Sequence, residues 1–184
     1  MCSFRSCIYS RNINRKGNVR MNIFYLHRDP VAAAKVQYNK HVVKMILESA
    51  QMLCTAHHHY GSGDNVPYKK AHYNHPSTKW VRESDEHYNW LFDHMVALGR
   101  EYTKRYGKTH LTINKCFLPL YRIPVGIPSN GFTPPPQCMP DQYKNESTTK
   151  AYWNYYIGEK HAVANKGEKI YKEEPWLYFK TVFA

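Results

Sequence analysis

His41, Lys44, Glu48 and Gln51 are spaced i, i+3, i+7 and i+10. On a helix turning about 100° per residue they share one stripe roughly 80° wide. An imidazole, an amine, a carboxylate and an amide in line are the parts of an acid–base site. They lie within Asn39–His59, NKHVVKMILESAQMLCTAHHH, which has no Gly or Pro and many strong helix formers. Val42, Val43, Ile46, Leu47, Ala50 and Leu53 cover most of the remaining circumference, with Met45 and Met52 at the edge of the stripe. A helix that is apolar nearly all round is expected to be buried, and buried polar groups must be paired or used. The stripe is therefore either the wall of an active site or, on a surface helix, an ordinary solvated face.

Three further groups could carry chemistry. Cys54 and His57 are at i, i+3, as are His72 and His75. Such a set could hold a tetrahedral zinc ion, although histidines also suit the C-terminal end of any helix. His75-Pro76 is followed by Lys79, Trp80 and Arg82. Lys79 and Arg82 in the first turns of a helix would hold a phosphate, or would be solvated charges beside a helix cap. Tyr152-Trp153-Asn154-Tyr155-Tyr156-Ile157-Gly158-Glu159-Lys160 puts adjacent aromatics on different sides of a helix. Trp153 and Tyr156, exposed beside Lys160, could stack on nucleobases; the alternative is an aromatic core helix.

The elements that must position these groups are helical. Residues 1–20 show no periodicity and read as a disordered basic extension, so the fold is expected to begin at Met21 and to form a single helical domain over 21–184. Met21–Leu26 is a short apolar segment, extended or tightly turned. Asp29-Pro30 is an N-cap followed by proline, which starts a short helix. Gly61–Asn74 is a polar loop, and Ser77–Glu83 a short helix. Ser84 or Asp85 caps a longer helix through Tyr106, with Leu91, Phe92, Met95, Leu98 and Tyr102 on one face and Gly107 as its stop. From Lys115 to Asn145, seven prolines are expected to break any regular element. Ser147 and Thr148 cap a last helix through about Ala164, and the aromatic tail from Glu173 is expected to pack back on the domain. The expectation is a compact, mainly α fold around the helix at Asn39–His59, with a long Pro-rich loop.

The 184 residues suffice for one domain with a real core. Lys and Arg number 26 against 14 Asp and Glu, for a net charge of +12. That balance favours a polyanionic partner, and its mixture with 16 Tyr and 4 Trp favours nucleic acid over a membrane surface. Five scattered cysteines with no CxxC pair point to a reducing compartment rather than a disulfide scaffold. No stretch approaches the length of a membrane span. The protein is expected to be cytoplasmic and to act as a monomer, without a cofactor.

From Met21 the chain resembles the pyrimidine-dimer DNA glycosylase/AP lyase family, the endonuclease V of T-even phages. Three segments carry the resemblance. Asn39-Lys-His-Val-Val-Lys-Met-Ile-Leu-Glu48 is similar to the family's early helix, where a His precedes the catalytic Glu by seven residues, as His41 precedes Glu48. His75-Pro76 with Arg82, followed by Glu101-Tyr-Thr-Lys-Arg105-Tyr-Gly, is similar to the middle of related sequences. Trp153-Asn-Tyr-Tyr-Ile-Gly-Glu-Lys160 resembles the aromatic C-terminal stretch. Met21–Gln51 is also similar to the opening of phage proteins without an assigned role.

The resemblance implies a nucleophilic N-terminal amine, here that of a chain beginning at Met21, assisted by Glu48 with His41 and Lys44 beside it. Lys79 and Arg82 would hold phosphates, and Trp153, Tyr156 and Lys160 would contact the nucleic acid. Two features depart from the family pattern: the twenty residues before Met21, and Asn22, which is too large for routine removal of Met21. The competing readings are a non-catalytic nucleic-acid-binding protein and a zinc enzyme or structural zinc domain using Cys54, His57, His72 and His75. The net charge predicts binding to a short DNA duplex that weakens as salt rises, because phosphate contacts release counterions. Affinity measured across a salt series checks this; no binding at low salt would remove nucleic acid as the partner.

Overall fold

The computed structural model describes residues 21–161, so the expected extension over 1–20 and the tail from Glu173 lie outside the described residues. Met21–Leu26 has no regular secondary structure, yet Met21, Ile23, Phe24, Tyr25 and Leu26 are all at most 4% exposed. The segment satisfies its backbone locally. The Asn22 side-chain oxygen accepts the N–H groups of Ile23 and Phe24 at 2.8 and 3.0 Å, and the N–H of Leu26 donates to the Phe24 carbonyl at 2.8 Å. Phe24 adopts φ 53°, a left-handed conformation that is costly with a Cβ. Its ring is held by stacking on His41 at 4.5 Å and by the edge contact of Tyr156 at 5.1 Å.

Six α-helices follow among the described residues, and no strand. Helix α1 (Pro30–Lys35) starts as its sequence dictates, with Asp29 accepting the N–H of Ala32 at 2.7 Å. Helix α2 is Asn39–His59, and α3, Pro76–Val81, is capped by the His75 ring. Helix α4 (Asp85–Tyr106) is followed by Gly107 at φ 67°, the left-handed stop. Helix α5 is Leu111–Tyr121. Helix α6 (Thr148–Tyr155) begins after Ser147 and passes into a single π turn, Tyr156–Lys160; the remainder of the helix expected through about Ala164, from residue 162 on, lies outside the described residues. No described helix is long and apolar enough to cross a membrane.

Helices α2 and α4 run antiparallel: His57 at the end of α2 bonds Tyr88 near the start of α4, and Arg105 at the end of α4 bonds Asn39 at the start of α2. Helix α1 lies along α4, where Trp90 and His94 donate to the carbonyls of Arg28 and Pro30 at 2.7 and 2.9 Å. Helix α5 returns along α4, and Tyr88 donates to the Leu120 carbonyl at 3.0 Å. Gly99 lets the two approach; a Cβ there would lie 2.7 Å from Ile113.

Two sequence expectations need correction. Helix α2 is not buried all round: Val43 and Leu47 are 36% and 38% exposed, because nothing described packs on that edge. And the stretch from Lys115 is not irregular throughout, since α5 includes Pro119. That proline is near the helix end, where its missing N–H leaves only the carbonyl of exposed Lys115 to water. From Arg122 the Pro-rich chain is irregular but tied down. Trp80 donates to the Thr133 carbonyl at 2.8 Å, Thr133 N–H donates to His87 at 2.9 Å, and Asp85 N–H donates to the Pro128 carbonyl at 2.9 Å. It is a strap over α3 and the start of α4.

The junction between α1 and α2 hangs on Arg105. Its guanidinium donates to the carbonyls of Lys35 and Gln37 at 2.9 and 2.7 Å and is neutralised by Glu101 at 3.0 Å. Arg105→Ala is therefore expected to cost about 2–4 kcal/mol, because it strands the half-buried Gln37 carbonyl and the largely buried Glu101 carboxylate. Chemical denaturation measures it.

Several histidines are structural. His94 donates to Pro30 from Nδ1, accepts from Gln37 at 3.0 Å, and burial holds its pKa to about 4. His41 is lowered to about 3, first by burial and then by the charges of Lys160 and Lys44. Both folded values lie below the ordinary 6.5, so the fold favours the neutral ring. Stability is then complete above about pH 6.5 and is lost progressively as pH falls towards the folded values. Melting temperatures between neutral pH and pH 4 are expected to fall steadily, and His94→Gln to flatten the fall.

Candidate active site

Glu48 is 8% exposed and sits where α2 passes the opening segment. One carboxylate oxygen is 2.9 Å from the Lys44 amine, and the other accepts the backbone N–H of Asn22 at 3.3 Å. Burial pushes its pKa up; the Lys44 hydrogen bond and charge, the Asn22 N–H and the charge of His72 pull it back without cancelling the rise. Lys44 is 56% exposed, so this pair is a bridge from solvent to a buried carboxylate rather than a buried ion pair. Met21 is buried alongside, its sulfur 3.6 Å from the Thr78 hydroxyl. A buried carboxylate with a raised pKa thus lies beside the backbone at the start of the described chain.

The rim of the site is built from a turn that sequence reasoning did not single out for this purpose. Thr55, seven residues after Glu48 on the same face of α2, bonds both the N–H and the carbonyl of Ala71 at 3.0 Å. His72 follows in the left-handed region at φ 46°, and its carbonyl accepts the N–H of His75 at 2.9 Å. The clamp holds the exposed His72 within electrostatic reach of Glu48. The i+7 spacing of Thr55 was the available signal.

The expected stripe divides in two. Lys44 and Glu48 meet, whereas His41 turns to the aromatic core. Its ring stacks on Phe24, and its Nδ1 lies 2.7 Å from the Tyr156 hydroxyl. That hydroxyl also accepts the N–H of Tyr38 at 2.8 Å, so it ties His41 to the turn that opens α2. Held neutral, His41 is not an acid beside Glu48 but a support for the segment carrying Asn22.

Trp153 and Tyr156 are both 0% exposed, which corrects the expectation that they contact nucleobases. Trp153 donates to the Leu26 carbonyl at 2.8 Å, and Tyr156 stacks on Tyr38 at 4.5 Å. The π turn widens the helix here, so Tyr155 and Tyr156 both remain inside. Lys160 pairs with Glu159 at 3.1 Å and lies over the Tyr155 ring at 4.4 Å.

Lys79 and Arg82 are brought together. They line a cavity of about 370 Å³ with His59, Tyr60, Glu83, Pro128 and Asn130, apart from Glu48. Lys79 is exposed; Arg82 is only 9% exposed, donates to the Tyr73 carbonyl at 2.9 Å and stacks 3.9 Å over the Tyr73 ring. The four residues of the zinc alternative are not gathered. Cys54 meets the Cys116 thiol, His57 lies between Ser62 and Tyr88, and His75 caps α3, its Nδ1 accepting from Ser77 at 3.2 Å. No group of three or more metal-ligating side chains occurs among the described residues.

The family described as pyrimidine dimer DNA glycosylase matches residues 21–114, just over half of the chain, from the buried opening segment through the first turn of α5. No similar protein is found among curated sequences, and none among solved structures. The chain is a member of the pyrimidine dimer DNA glycosylase family, an enzyme family acting on DNA.

Proposed function

We propose that this protein excises damaged or modified pyrimidines from DNA as a glycosylase with AP-lyase activity, through a Schiff base. The observation that supports this reading best is the Glu48 carboxylate, buried and bonded to the backbone N–H of Asn22. An α-amine has a pKa near 8, so a useful fraction is neutral at pH 7. It would attack the sugar C1′; the bond from C1′ to the base breaks, and the base leaves with the electron pair and takes up a proton. Loss of the ring oxygen from C1′ then gives the Schiff base. Glu48, with a pKa above the ordinary carboxylate range, is suited to carry the protons, including the one removed from C2′ as the 3′ phosphate leaves. Lys44 holds the carboxylate in place.

The nucleophile in this reading is the amine of a chain beginning at Met21. Because Glu48 bonds the nitrogen of Asn22, one residue on, a chain beginning at Asn22 is the second candidate. Borohydride reduction of the Schiff base should leave enzyme covalently bound to abasic DNA. The comparison uses the full-length chain, chains starting at Met21 and at Asn22, and the same two with blocked N-termini. Trapping by an unblocked short chain and not by its blocked form is the expected result, and the more active start names the nucleophile. Equal trapping by all would move the nucleophile to a lysine, Lys44 first; none would favour a DNA-binding role without this chemistry. Glu48→Gln should lower the rate at least about a hundredfold while the protein still folds and binds DNA.

A further inference from the structure

The cavity beside Lys79 is a built feature. Arg82 forms its wall and is fixed from several sides: its guanidinium by the Tyr73 ring and carbonyl, its own carbonyl by the Tyr60 hydroxyl at 2.7 Å. His59 is oriented by the Tyr73 hydroxyl at 2.7 Å. Burial, Arg82 and Lys70 push the His59 pKa down, so the ring adds no fixed charge to the cavity. The charges lining the cavity are then Lys79 and Arg82 against Glu83. Two cations and one carboxylate leave one net positive charge, the complement of a single phosphodiester rather than of a multiply charged metabolite.

Its position adds the second constraint. His59 lies eleven residues after Glu48 in α2, which returns it to nearly the same face of the helix. By helical rise the separation is about 16 Å. A duplex lying along α2, at about 3.4 Å per base step, spans that rise in roughly five nucleotides.

We infer that this cavity is a subsite for one backbone phosphate of the DNA, roughly five nucleotides from the sugar held at Glu48. Lys79 makes the contact from the open side, and Arg82 supplies charge from a fixed wall. The subsite acts in binding and sets a minimum flank on one side of the lesion. It rests on the proposed function only for the placement of the sugar at Glu48.

The test needs no chemistry. Duplexes carrying one tetrahydrofuran abasic analogue, which cannot react, are made with each flank in turn shortened below about five nucleotides. Affinities are measured for the wild type, for Lys79→Ala and for Lys108→Ala, the same charge change just beyond the far end of α4. On the long duplex Lys79→Ala is expected to weaken binding about tenfold and to lower the salt slope by about one. Shortening one particular flank should abolish the difference between wild type and Lys79→Ala, whereas the effect of Lys108→Ala should not depend on that flank. A Lys79→Ala loss independent of both flanks, or no loss, overturns the subsite while leaving DNA as substrate. Failure of the wild type to bind any duplex overturns the DNA reading with it.

Discussion

A chain segment without secondary structure lies in the core, and the rest of the structure is arranged to satisfy it. Met21–Leu26 buries its side chains, so its backbone groups need partners that a helix or sheet would otherwise supply. The partners come from every side. Asn22 bonds its own neighbours and donates its amide to the Cys138 carbonyl at 2.9 Å in the Pro-rich strap. Glu48 of α2 takes the N–H of Asn22, and Trp153 of α6 takes the carbonyl of Leu26. Elements far apart in sequence therefore converge on six residues. The same requirement creates the candidate site: a carboxylate is kept in a desolvated position because a backbone N–H and Lys44 compensate it, and its pKa rises as a consequence.

Charge in this protein divides between internal work and the surface. Arg105 ties α1 and α2 to α4, and Arg82 is stacked on Tyr73. Lys160 is half engaged by Glu159 and Tyr155. The net charge of +12 overstates what meets a partner, because cations spent on carbonyls and rings are only partly available to phosphate. Lys44 and Lys79 are different: both are exposed, each beside a concave or buried polar group on the side of α2 that carries Glu48. The histidines show a similar division. His41, His57 and His94 serve as neutral donors and acceptors between elements, while His72 is held at the rim by a strained backbone that Thr55 and His75 secure.

What the sequence determined by itself is what short-range rules govern. The bounds of α2 at Asn39 and His59, the start of α1 at Asp29-Pro30, and the stop of α4 at Gly107 follow from propensity, caps and left-handed glycine, which act over three or four residues. The mainly α class followed, and so did the meeting of Lys44 with Glu48, one turn apart. Only the tertiary structure decided the rest. Whether Trp153 and Tyr156 face solvent depends on the opening segment and on a π turn, neither of which leaves a mark in local periodicity. His41 shares a stripe with Glu48 but has an aromatic environment, because Phe24 and Tyr156 arrive from elsewhere in the chain. Pro119 is tolerated in α5 because its cost depends on where the helix happens to end. The contact of Asn22 with Glu48 joins residues 26 apart, beyond the reach of helical spacing, and forms only because a buried N–H must find an acceptor.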